Sequence, residues 1–139
     1  MKTSAGQGLS AATPLVTASF PGTHDQASHA RALVRDALHE ARYDGITRDA
    51  ELLTSELFTN AVQHSRSGHL GTVTVMIQAG DVVRIEVVDD GSAISCPRVM
   101  TQDAVSLGGR GLFLVQSISS RFGMRSDHAA TAIWFELVP

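Results

Sequence analysis

Residues 51–65, ELLTSELFTNAVQHS, constrain this chain more than any other stretch. Leu52, Leu53, Leu57, Phe58, Ala61 and Val62 recur at three- and four-residue intervals, which predicts an amphipathic helix with one stripe to bury. Glu56, Asn60 and His64 are four apart and therefore stack along one edge of that helix. A carboxylate and a neutral amide in this relation can share one reaction. The acid can take a proton or order a water, and the amide oxygen can ligate a hard cation such as Mg²⁺. Taken alone, the same three residues equally describe the wet side of an ordinary helix.

The flanks set the context. Residues 15–20 (LVTASF) predict a first strand, stopped by Pro21-Gly22. Over residues 24–42, Ala30, Leu33, Val34, Ala37, Leu38 and Ala41 mark one face of a helix, with Arg31, Arg35, Asp36 and Glu40 on the other. Gly45 is the expected left-handed terminator of that helix. Beyond the Glu56 helix the period drops from near four to two. Residues 72–79 (TVTVMIQA) and 82–88 (VVRIEVV) predict a hairpin with a tight turn at Gly80-Asp81. Residues 92–107 lack periodicity and predict an irregular segment. An apolar helix is expected over 112–120, and closing strands near 122–126 and 130–138.

Only three helices alternate with the strands, and the hairpin demands antiparallel pairing. The expected class is α+β, a two-layer α/β sandwich with one mostly antiparallel mixed sheet and helices on one face. Hydrophobic residues at 43% and charged ones at 18% of 139 residues fit one globular domain and argue against disorder. We expect that domain over residues 14–139, behind a loose polar leader at 1–13. A net charge of −3 gives no electrostatic reason to expect nucleic acid or an anionic membrane as partner. No apolar run approaches membrane-spanning length. The lone Cys96 excludes an intramolecular disulfide and suits a reducing cytoplasm.

Two further stretches carry chemistry. The second hairpin strand runs into Asp89-Asp90-Gly91, which puts a carboxylate at the rim of a sheet where the chain must turn. An ionised carboxylate there needs a donor, and the exocyclic amine of adenine is one natural partner. Gly108-Gly109-Arg110-Gly111, immediately before a helix, bares main-chain N–H groups at the positive end of a helix dipole and suits a phosphate chain. It is neither a Walker motif, for no Gly-Lys-Ser/Thr is present, nor a dinucleotide fingerprint, for no strand feeds directly into it.

The order of these pieces (SELFTNAVQHS, VVDDG, GGRGLFLVQSIS and the closing TAIWFEL) resembles the ATP-binding fold shared by gyrase, histidine kinases and MutL. Within that superfamily (the GHKL or Bergerat fold) the chain is most similar to the anti-sigma-factor serine/threonine kinases of the RsbW and SpoIIAB type. The resemblance implies a role for each matching position. Glu56 is the general base or water-orienting acid, and Asn60 the Mg²⁺ ligand. Asp89 recognises adenine, with Gly91 beside the base and Thr131 supporting it through a water. Gly109, Arg110 and Gly111, with Leu112 after them, hold the phosphates. His64 and Asp90 are expected to be supporting or solvated.

The family likeness also implies ATP or ADP with Mg²⁺, a sigma factor or an antagonist protein as partner, and a homodimer. The strand at 15–20 offers an edge for self-association, and Arg31, Arg35 and Arg42 a basic face for an acidic partner. Two positions depart from the family pattern. Ala93 stands where a second glycine is usual, and Ala130 where one precedes Thr131; the lid at 92–107 is short and has no evident lysine. Two functions therefore stay open: a kinase that transfers the γ-phosphate of ATP to a small antagonist protein, or a catalytically weak, nucleotide-gated binding module.

Overall fold

The computed structural model describes residues 13–64, 71–90, 110–126 and 130–139. Within them the chain runs β1 (Thr13–Pro21), α1 (Ala27–Glu40), α2 (Thr47–His64), β2 (Thr72–Ala79), β3 (Val83–Asp89), α3 (Arg110–Ile118), β4 (Arg121–Ser126) and β5 (Thr131–Leu137). Single 3-10 turns, His24–Gln26 and Asp44–Ile46, lead into α1 and α2.

The strands form one sheet in the order β1-β2-β3-β5-β4, and every pairing among the described residues is antiparallel. The expected two-layer α+β sandwich is therefore the architecture observed. Alternation explains the two layers. Val73, Val75, Ile77 and Ala79 of β2, and Val83, Ile85 and Val87 of β3, all point to one face and are buried there. Against that face lie Val34 and Leu38 of α1, Leu53, Leu57 and Phe58 of α2, and Val115 of α3, in a single core. Phe20 of β1 meets Phe58 edge-on, with ring centroids 5.9 Å apart. α1 packs on β1, α2 on β2 and β3, and α3 on β4, so α2 lies between the other two helices.

The opposite face carries the polar half of the alternation. Arg84 lies 3.8 Å over the Trp134 ring, and Arg84 and Arg121 both approach the nearly buried Glu136. Arg125 pairs with Glu86 at 2.7 Å. Gly123 sits under Trp134, where a Cβ would come within 2.6 Å of the indole. Glycine is required there for space.

Local details differ from the sequence-based expectations in three places. The left-handed residue that ends α1 is Arg42 (φ 66°), and Gly45 lies in the 3-10 turn that follows. Arg42 N–H donates to His39 O and Tyr43 N–H to Leu38 O, the paired bonds of a Schellman cap. That cap is set by where the last carbonyls need donors, and it closes three residues before the glycine. The hairpin turn has three residues, 80–82, because Ala79 pairs with Val83 and Gly80 N–H bonds Val82 O. α3 begins at Arg110, so part of the glycine box is itself helical.

The expected basic face of α1 is also not a single open patch. Arg31 donates to Ser55 Oγ of α2 at 2.9 Å, Arg35 approaches Glu51 of α2 at 3.7 Å, and Arg42 lies past the helix end. At that end His39 Nδ1 contacts Asp44 Oδ1 at 2.9 Å, and this carboxylate raises the imidazole pKa above its ordinary value.

Arg42 holds a conformation that disfavours side chains with a Cβ. Arg42→Gly should therefore raise stability by about 0.5–1 kcal/mol in urea unfolding. An unchanged or lower midpoint would show that the arginine side chain offsets its backbone strain.

Candidate functional site

Three neighbouring strands change character at the same rim of the sheet. On β3 the inward series Val83, Ile85, Val87 is apolar, and its next member is Asp89, only 9% exposed. On β5 the inward series Leu137, Phe135, Ile133 ends at the half-buried Thr131. On β4, Phe122 and Met124 are followed by Ser126. Asp89 pairs with Thr131, and Thr131 with Ser126, so the carboxylate and two hydroxyls form one cross-strand row facing the helices. Ser126 Oγ and Thr131 Oγ1 are 3.0 Å apart.

The adjacent aspartates divide because strand neighbours point to opposite faces. Asp90 Oδ2 accepts the main-chain N–H of Thr72 at 3.0 Å, tying the end of β3 to the start of β2. Its role is the supporting one expected, and it leaves Asp89 as the acid on the helix-facing side.

α2 supplies the second wall. Successive residues turn by about 100° around a helix. Ala50, Leu53, Thr54, Leu57 and Ala61 define its buried centre, while Glu51 and Ser55 meet α1 on one flank. Glu56 and Asn60 fall on the other flank, the side on which α3 packs, and both are half-buried. They are boundary residues rather than the wet side of the helix. His64 is the last residue of α2.

α3 brings the third element. Arg110, Gly111 and Leu112 occupy its first turn, and α3 packs against α2. The N–H groups of a first helical turn have no intrahelical acceptor, so this terminus offers donors to an anion. Gly91 and Gly109 lie outside the described residues, as do Ala93 and the lid at 92–107.

Ser126 is the site residue that sequence reasoning missed. The signal was present, because Phe122, Met124 and Ser126 alternate inward just as Val87 and Asp89 do. Among the described residues no cluster of three or more His, Cys, Asp or Glu side chains could cage a metal. Nor is any helix there long and apolar enough to cross a membrane.

The sequence matches the histidine kinase-like ATPase domain family over residues 20–137. The chain belongs to that family. As a histidine kinase-like ATPase domain it is a binder of adenine nucleotides, and its polar rim row, Glu56 flank and α3 terminus all lie within the matched span. A chain of the SiaB–SiaC complex from Pseudomonas aeruginosa has the same fold, with a TM-score of 0.64 at 13% identity over 95% of this chain and 94% of that one. No curated protein sequence matches this histidine kinase-like ATPase domain.

Ligand that binds only the folded state stabilises it by mass action. Millimolar ATP with Mg²⁺ should therefore raise the melting temperature of the wild type by several degrees. Asp89→Asn replaces an acceptor-only group by an amide that also donates, and should remove most of that rise. A wild-type melt that ATP leaves unmoved would count against a working site.

Proposed function

We propose that this protein is an ATP-binding regulator resembling the anti-sigma-factor serine/threonine kinases, one that phosphorylates, sequesters, or both, protein partners that control transcription. The observation that carries the reading is the half-buried pair Glu56 and Asn60 on the α3 side of α2, above a rim that holds Asp89 and Thr131 in register. In this reading Asp89 accepts the adenine amine, with Gly91 beside the base and Thr131 supporting it. Gly109, Arg110, Gly111 and Leu112 hold the phosphates through main-chain N–H groups.

The donor set suits Mg²⁺ better than a metal caged by protein. Mg²⁺ keeps several waters and takes few protein oxygens alongside phosphates, and a lone amide such as Asn60 can serve as one of them. When bound, the ion neutralises charge on the phosphates. Glu56 accepts the proton of a partner's serine hydroxyl as that oxygen attacks the γ-phosphorus. The bond from the γ-phosphorus to the bridging oxygen breaks, and ADP leaves with the electron pair.

A second reading is a catalytically weak module whose partner affinity is gated by nucleotide. Ala93 and Ala130, in place of glycines usual in the family, favour it. Both readings take residues 14–139 as the domain, behind a leader at 1–13, in the cytoplasm. Both take a sigma factor or its antagonist as partner. The Pseudomonas aeruginosa structure of this fold, itself a complex of two proteins, is in keeping with a protein partner. Self-association through the β1 side completes the proposal. β1 is a terminal strand with Leu15 exposed at a bulge, and beside it Leu15, Val16, Leu33, Ala37 and Ala41 line an open groove of about 470 Å³. Sedimentation at tens of micromolar should give a dimer, and a strictly monomeric protein would remove that part of the proposal.

Chemistry and binding separate by substitution. Glu56→Ala should keep ATP affinity within a few-fold and slow transfer of labelled phosphate to an antagonist protein by about 100-fold or more, the scale of a general base. Asn60→Ala should lower both. Phosphate transfer by Glu56→Ala at the wild-type rate would show that Glu56 is not the base, and no transfer by the wild type would favour the gated module.

A further inference from the structure

We infer that Ser126 is a positioning residue of the nucleotide site, which holds the Thr131 hydroxyl in the orientation the purine base meets. The inference rests on the adenine reading of Asp89 and Thr131 given above and extends it to a third strand.

The geometry is that of the rim row. Ser126 is directly opposite Thr131 on the neighbouring strand, and their hydroxyl oxygens are 3.0 Å apart, within hydrogen-bond range. Both side chains are partly buried. The residues before Ser126 on the same face, Phe122 and Met124, are apolar, so a hydroxyl at this level breaks a series that otherwise serves the core. The same break occurs on β3 at Asp89 and on β5 at Thr131. Three strands that turn polar together at one rim indicate a common ligand-facing row, whereas a core would have continued apolar.

A threonine hydroxyl has one proton and two lone pairs, and it rotates freely unless a partner fixes it. The Ser126 bond commits one of those positions, and the remaining ones are then presented in a set direction beside Asp89. Adenine carries an amine at the position where guanine carries a carbonyl. An unfixed Thr131 could turn its proton toward that carbonyl and soften the rejection of guanine by the carboxylate. A Thr131 held by Ser126 has lost that freedom. Ser126 therefore contributes both to ATP affinity and to the preference for adenine.

The test is calorimetric titration of ATP·Mg and GTP·Mg into the wild type, Ser126→Ala, Ser126→Thr, Thr131→Val and the double variant Ser126→Ala/Thr131→Val. Ser126→Ala should weaken ATP about three- to tenfold, the worth of one hydrogen bond, and narrow the ATP-to-GTP ratio. Ser126→Thr should restore both. In the Thr131→Val background Ser126→Ala should have little further effect, because the pair acts as a unit. Two results overturn the inference. One is a lower melting temperature without nucleotide while ATP affinity and the ATP-to-GTP ratio stay at wild type, the mark of a purely structural hydroxyl. The other is full additivity of the two single losses. Asp89→Asn serves as the separate control. If it too leaves ATP affinity unchanged, the adenine reading itself fails; if it weakens ATP while Ser126→Ala does not, only the present inference falls.

Discussion

The period-two alternation of β3 is the constraint on which the rest of the structure depends. The same pleat that delivers Val83, Ile85 and Val87 to the core delivers Asp89 to the same face. A slip of one residue would put Arg84 and Glu86 inside and Asp89 outside, so the apolar pattern that fixes the core also fixes the carboxylate. Asp90 locks that register from the other side through its bond to the Thr72 N–H. A buried acid at a strand end is costly to keep, and its position is stable only because three apolar residues on its own strand pull it there.

α2 couples this rim to the rest of the molecule. Its central stripe packs on β2 and β3, one flank meets α1 through Arg31–Ser55 and Arg35–Glu51, and the other carries Glu56 and Asn60 toward α3. Rotation of the helix about its axis would expose Leu53 or Leu57 before it moved Glu56 by one residue's width. Core packing thus fixes the direction of the polar flank more firmly than any contact that flank makes itself.

What could be read from the sequence was what periodicity controls. The α2 stripe, the β2–β3 hairpin and the inward position of Asp89 follow from counting by four and by two. The features that escaped depend on local hydrogen bonding. Nothing in the composition near Gly45 says that the α1 carbonyls take their donors from Arg42 and Tyr43, so the glycine looked the better terminator. The start of α3 at Arg110 was hidden because its first turn contains Gly111, a residue that weakens helix as readily as it precedes one. Ser126 escaped because a single serine in a short strand carries no signal until its register with Thr131 is known. The positions that remain expectations, Gly91, Gly109 and Ala93, lie outside the described residues.

Sheet topology explains why the polar row sits where it does. β3 ends, β5 begins and β4 ends at one rim, and β2 begins beside them at Thr72. The opposite rim holds the three-residue turn 80–82 and the far end of β5 at Leu137. The side edges are poor places for a site. β1 carries Pro14 and a bulge at Leu15, and β4 carries Arg121 and Arg125, both of which hinder the addition of another strand. Strand ends are free of that conflict, because the ladder is already complete and a side chain can change from apolar to polar without unpairing the backbone. Asp89, Thr131 and Ser126 keep full strand pairing while facing the helices. The sheet can therefore offer three polar groups to a ligand and lose none of the backbone hydrogen bonds that hold it together.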